Sequence, residues 1–124
     1  MTQVKKVDQR VKTTLENTVK YQIITYCFFN DIRINDSDLS LLTELALCED
    51  TEVPKFCKLL TDKNIFKSLQ SARNAISKAH KKQLVDKNSQ KKIFLNRSIN
   101  VQSKGIILLD YKILGEHYED ENNI

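Results

Sequence analysis

The sequence predicts an α+β fold, mainly helical with a small β-sheet. Three observations carry that prediction. Only two glycines and one proline occur in 124 residues, too few for the many tight turns of an all-β chain. Apolar residues recur at three- and four-residue spacings along most of the chain, the pattern of helices with one buried face. Late in the sequence, the runs Gln83-Leu84-Val85-Asp86-Lys87 and Lys91-Lys92-Ile93-Phe94-Leu95 flank Asn88-Ser89-Gln90, and a short turn-rich connection between such runs reads as a β-hairpin. The length fits a single domain with its own core. The expected divisions are a basic segment at 1–15, the domain at 16–115 and an acidic, disordered tail at 116–124.

Taken in order, 1–15 carries Val4, Val7 and Val11 at a spacing that suits a helix or an extended arm. Lys5, Lys6, Arg10 and Lys12 make it either an arm that touches phosphates or a dimerisation segment. A helix is expected over 17–30, capped by Asn17 or Thr18, with Val19, Ile23, Ile24, Tyr26, Cys27 and Phe28 on a broad core-facing side. Its aromatics, Tyr21, Tyr26, Phe28 and Phe29, read as packing residues rather than a base-stacking platform, because their spacing is helical and no cations are interleaved. Ile32-Arg33-Ile34 reads as a short β-like run. Asn35-Asp36-Ser37-Asp38 is rich in capping residues, and Leu39, Leu41, Leu42, Leu45, Ala46 and Cys48 continue as an amphipathic helix to about Glu49. Thr51 is the expected cap of the next helix, where Pro54 is tolerated in the first turn and Phe56, Cys57, Leu59 and Leu60 face inward; Ile65 and Phe66 plug the following turn.

The next helix, 69–82, is capped by Ser68. Leu69, Ala72, Ile76, Ala79 and then Gln83 or Leu84 form one narrow apolar stripe, while Lys67, Gln70, Arg73, Asn74, Ser77, Lys78, Lys81 and Lys82 occupy the other faces. Beyond the hairpin, Gly105 to Leu114 is the most apolar run, read as a buried strand or a short helix that extends the sheet or meets another subunit.

Charge is concentrated in one stretch. Residues 63–104 hold 11 basic side chains and one acid, Asp86, whereas 1–62 hold 8 basic and 10 acidic and 105–124 hold one basic and five acidic. A segment that basic repels itself unless it faces solvent or a polyanion.

The apolar spacing over Val53 to Asn100 resembles the winged helix-turn-helix superfamily. Phe56, Leu59 and Leu60 lie on a first helix, 69–82 follows as the second, and the 83–96 hairpin stands where the wing would be. Ile32-Arg33-Ile34 then corresponds to the edge strand that pairs with the wing. Two details depart from the usual form: the connection Thr61 to Lys67 is longer than a tight turn, and Gln83 stands where a glycine usually precedes the first wing strand. The resemblance implies binding of double-stranded DNA, in transcription regulation or replication initiation, with 69–82 in the major groove and the wing on the backbone. It implies Gln70, Arg73, Asn74 and Ser77 as base contacts, since Arg suits guanine and Asn or Gln suits adenine. Lys67, Lys78, Lys81, Lys87, Lys91, Lys92 and Arg97 would take phosphates. A homodimer or larger assembly through 17–30 and 106–114 is the accompanying expectation. The competing expectation is a non-enzymatic assembly protein, such as a virion or nucleoprotein-complex component, that uses the same fold for packing.

No catalytic pattern is present. The chain lacks a glycine-rich phosphate loop, a Gly-x-Ser-x-Gly elbow and a His-Glu-x-x-His motif, and Asp110 reads as a strand-end acid with its head in water. Cys27, Cys48 and Cys57, without Cys-x-x-Cys spacing, read as reduced thiols, and His80 and His117 are unpatterned, so no metal or cofactor is expected. No run of 18 apolar residues occurs and Met1-Thr2-Gln3-Val4-Lys5-Lys6 has no signal-peptide core. The expectation is an intracellular protein away from membranes.

Overall fold

A computed structural model describes residues 13–48 and 50–102. The expectations for 1–12 and for the apolar and acidic runs beyond 102 lie outside those residues. The elements run α1 (Leu15–Phe29), α2 (Asp36–Leu47), β1 (Thr51–Glu52), α3 (Val53–Asp62), α4 (Leu69–Lys81), β2 (Val85–Lys87) and β3 (Lys92–Leu95). The sheet is antiparallel with order β1-β3-β2. Val19, Ile23 and Cys27 of α1, Leu41, Leu42 and Leu45 of α2, Phe56, Cys57 and Leu60 of α3, and Ala72, Ala75, Ile76 and Ala79 of α4 share one core with Leu84, Val85, Ile93 and Ile99.

Three of the described helices, α1, α2 and α4, begin where a side chain takes an orphan N–H. Thr14, not Asn17 or Thr18, caps α1 and accepts from the Asn17 backbone N–H at 3.1 Å; the helix therefore starts earlier than expected. Asn35 and Asp38 form a reciprocal capping box on α2. Ser68 and Ser71 do the same on α4. Thr51 does not cap α3. Glu52 occupies that position without a side-chain bond, and Pro54 lies in the first turn as expected.

The edge strand is displaced from its expected place. Ile32-Arg33-Ile34 is an extended connection with both isoleucines half-buried against the core, and its alternation reflects that packing. Thr51 and Glu52, immediately before α3, pair instead with Ile93 and Lys92. A two-residue strand carries no periodicity, so its sequence gives no strand signal.

The core-facing side of α1 is narrower than its composition implied. Ile24 and Phe28 face outward, at 41 % and 78 % exposure. Leu69 is also no part of the α4 stripe: it stands in the first turn, 50 % exposed, and Ala75 takes the buried position.

Candidate nucleic-acid interface

The candidate surface is built from α4 and the β2–β3 hairpin. With Ala72, Ala75, Ile76 and Ala79 buried, helical geometry turns Gln70, Asn74, Ser77 and Lys81 directly away from the core, and all four are exposed. Small alanines on the inner face let α4 sit close to the body, while its outer face carries amides, a hydroxyl and an ammonium. The Gln70 Nε2 donates to Asn74 Oδ1 at 2.9 Å. That bond holds two amides one turn apart and leaves the Gln70 Oε1 and the Asn74 Nδ2 to meet a ligand as acceptor and donor.

Arg73 and Lys78 occupy the two flanks of this strip. Arg73 is exposed, but its charge lies close enough to Cys57 on α3 to offset part of the rise that burial imposes on that thiol's pKa. Lys78 Nζ meets Asp38 Oδ2 at 3.5 Å, so it partly neutralises a buried capping carboxylate. Lys67 is exposed just ahead of the Ser68 cap. Lys82 donates to the Arg33 carbonyl and so ties the end of α4 to the α1–α2 connection.

The hairpin tip follows from its turn chemistry. The Asn88 side-chain oxygen accepts from the backbone N–H groups of Gln90, at 2.9 Å, and Lys92, at 3.0 Å. Lys91 takes a left-handed φ of 63°, the place a glycine usually fills. The connection between β2 and β3 is thus 88–91, one residue longer than the spacing implied. Lys87 and Lys91 are exposed at the tip, whereas Lys92 is half-buried and lies opposite Glu52 in the ladder. Arg97 is exposed with its guanidinium 5.3 Å from the centre of the Phe94 ring.

The structure therefore brings Gln70, Asn74, Ser77 and Lys81 onto one strip, places Arg73 and Lys78 beside it, and puts Lys87, Lys91, Lys92 and Arg97 on the hairpin and its exit. Leu69 is an outward-facing residue that sequence reasoning missed. Its three-residue spacing to Ala72 fits the stripe equally well, and only its place in the first turn distinguishes it.

Among the described residues, no three His, Cys, Asp or Glu side chains gather as a metal site, and no helix is long and apolar enough to cross a membrane. Cys27, Cys48 and Cys57 are free thiols.

No family profile and no curated protein matches the chain. Among solved structures, a zinc uptake regulator complexed with zinc and DNA is similar, with a TM-score of 0.56 at 16 % identity, over 90 % of this chain and 80 % of that one. At that identity the likeness is one of fold. With the helix pair α3–α4, the hairpin that follows it and the edge strand paired to β3, this chain has a winged-helix-like α+β fold.

Proposed function

We propose that the chain is a double-stranded DNA-binding regulator that inserts α4 into the major groove and lays its hairpin along the backbone. The observation that carries this reading is the strip Gln70-Asn74-Ser77-Lys81, which points away from the core and is flanked by Arg73 and Lys78. Amides and hydroxyls that project from a helix into solvent are suited to base edges, and lysines around them are suited to phosphates. Leu69, at the helix start where base contacts concentrate, adds an apolar surface for a thymine methyl. Arg73 reads guanine after leaving its place beside Cys57. The similar regulator solved with DNA supports the same reading through its fold.

The regulatory role is the finer part of the proposal, set against replication initiation. Both share the groove-reading step. The test is selection of binding sites from random duplex DNA at physiological salt, where nonspecific attachment is suppressed. An enriched motif is the expected result. Retention without enrichment would remove base reading and leave a nonspecific or assembly role for the basic face.

A further inference from the structure

Gln70 and Asn74 lie one turn apart on the exposed side of α4, and the Gln70 Nε2 donates to the Asn74 Oδ1 at 2.9 Å. The bond uses one of the two amino hydrogens of Gln70 and one of the two carbonyl lone pairs of Asn74. Each amide therefore keeps an amino hydrogen and a carbonyl lone pair for a ligand. Turning both amides over exchanges donor and acceptor in the bond without changing that remainder. No carboxylate occurs on α4 to compete for the amino hydrogens.

We infer that Gln70 and Asn74 act as one reader of a single adenine, an assignment that rests on α4 lying in the major groove as proposed above. Hydrogen-bond chemistry selects the base. In the major groove adenine offers an acceptor, N7, beside a donor, the N6 amino group. Guanine offers two acceptors, thymine an acceptor beside a methyl group, and cytosine a donor alone. An amide that presents one N–H and one carbonyl side by side makes two bonds to adenine, whereas on guanine its carbonyl faces an acceptor.

The bond between the amides supplies the orientation. A lone amide turns freely about its terminal torsion and has to be immobilised when DNA arrives. Here a partner one turn away restrains it beforehand. One amide touches the base and the other fixes it, so both side chains act on the same base pair. Independent readers at these positions stand about 6 Å apart along the helix, farther than the roughly 3.4 Å between successive bases, and would act on different base pairs.

The test is a double-variant cycle on the duplex that the parent chain selects from random DNA, with each base pair of the site changed in turn. Gln70→Ala and Asn74→Ala replace exposed helical residues with the best helix former, so the fold is retained. The expected result is that both variants lose their preference at one and the same A·T pair. The larger single loss is about 5- to 150-fold, and the double variant matches it within about twofold. Substituting 7-deaza-adenine at that pair removes the N7 acceptor and leaves base pairing intact. It should weaken the parent about two- to tenfold and leave the double variant unchanged. Losses at different base pairs, losses that multiply in the double variant, or a shared G·C pair would each overturn the joint reader while base reading by α4 stands. A parent chain that enriches no motif removes base reading itself, and the joint reader with it.

Discussion

Among the described residues, four non-glycine residues hold the backbone in the left-handed region: Asp31, Asn64, Gln83 and Lys91, with φ values of 54°, 58°, 62° and 63°. Asp and Asn tolerate that conformation well, whereas Gln and Lys bear its full steric cost. Gln83 closes α4 and Lys91 closes the hairpin turn, and both are exposed. Gln83→Gly is expected to stabilise the fold by about 0.5–1 kcal/mol, the steric relief exceeding the added unfolded-state entropy. A lower denaturation midpoint than the parent would show that the glutamine side chain has a compensating contact. Lys91→Gly separates two roles at one position: it should raise the midpoint by a similar amount while weakening DNA binding. The thiols supply a third residue-scale prediction. Burial pushes the pKa of Cys57 up, with the Arg73 charge opposing part of the shift, and burial likewise raises that of Cys27, opposed by Lys82. As pH rises, the unfolded chain loses these protons first. Their contribution to stability is therefore intact below about pH 8.5 and declines above it. Urea midpoints at pH 7.5 and 10 should diverge less in Cys57→Ala than in the parent; equal divergence would show that this thiol is not part of the alkaline loss.

At the scale of elements, α4 was legible because two independent signals coincide: a capping serine and an apolar stripe behind it. Its capping box uses Ser71 in place of the usual glutamate, so the second half of the box left no trace in the pattern. Ser68→Ala is expected to cost about 1 kcal/mol and to loosen the first turn, where Leu69 and Gln70 stand, visible as faster amide exchange at Ser71 and Ala72. Unchanged exchange there would mean that tertiary packing holds the turn without the cap. The sheet was only half legible. The hairpin announces itself by alternation around Asn88, but the two residues of β1 are too few to show a period, and Ile32-Arg33-Ile34 imitates a strand because both isoleucines pack on the core. On α1, composition overstated burial: Ile24 and Phe28 are apolar, yet the helix lies at the margin of the body and turns them outward. Which positions of α4 face outward was legible, but what they touch was not. That Lys78 meets Asp38, forty positions earlier, and that Arg73 lies by Cys57, are consequences of how α4 packs on α2 and α3, which spacing within α4 does not encode.

For the whole molecule, the charge is partitioned so that the cations of 63–104 belong mostly to α4 and the hairpin, while the acids belong to the segments around them. Such an arrangement orients a polyanion before contact, and it makes affinity fall steeply with salt, by about 0.9 in log–log slope for each phosphate neutralised. The cations are not equivalent in this respect. Lys81 stands free on the outward strip, whereas Lys78 is held by Asp38 and Lys92 lies opposite Glu52. Lys81→Ala should reduce the slope by about one and weaken all duplexes alike. Lys78→Ala should reduce it less, and it should also cost stability by leaving the buried Asp38 carboxylate without its partner. Arg73→Ala and Asn74→Ala should behave differently again, each weakening the selected site by about 1–3 kcal/mol while random duplexes are little affected. The measurement is binding at several salt concentrations to the selected duplex and to a scrambled one. If Arg73→Ala and Lys81→Ala give the same pattern on both duplexes, the α4 strip does not read bases, and the partitioned charge alone accounts for binding.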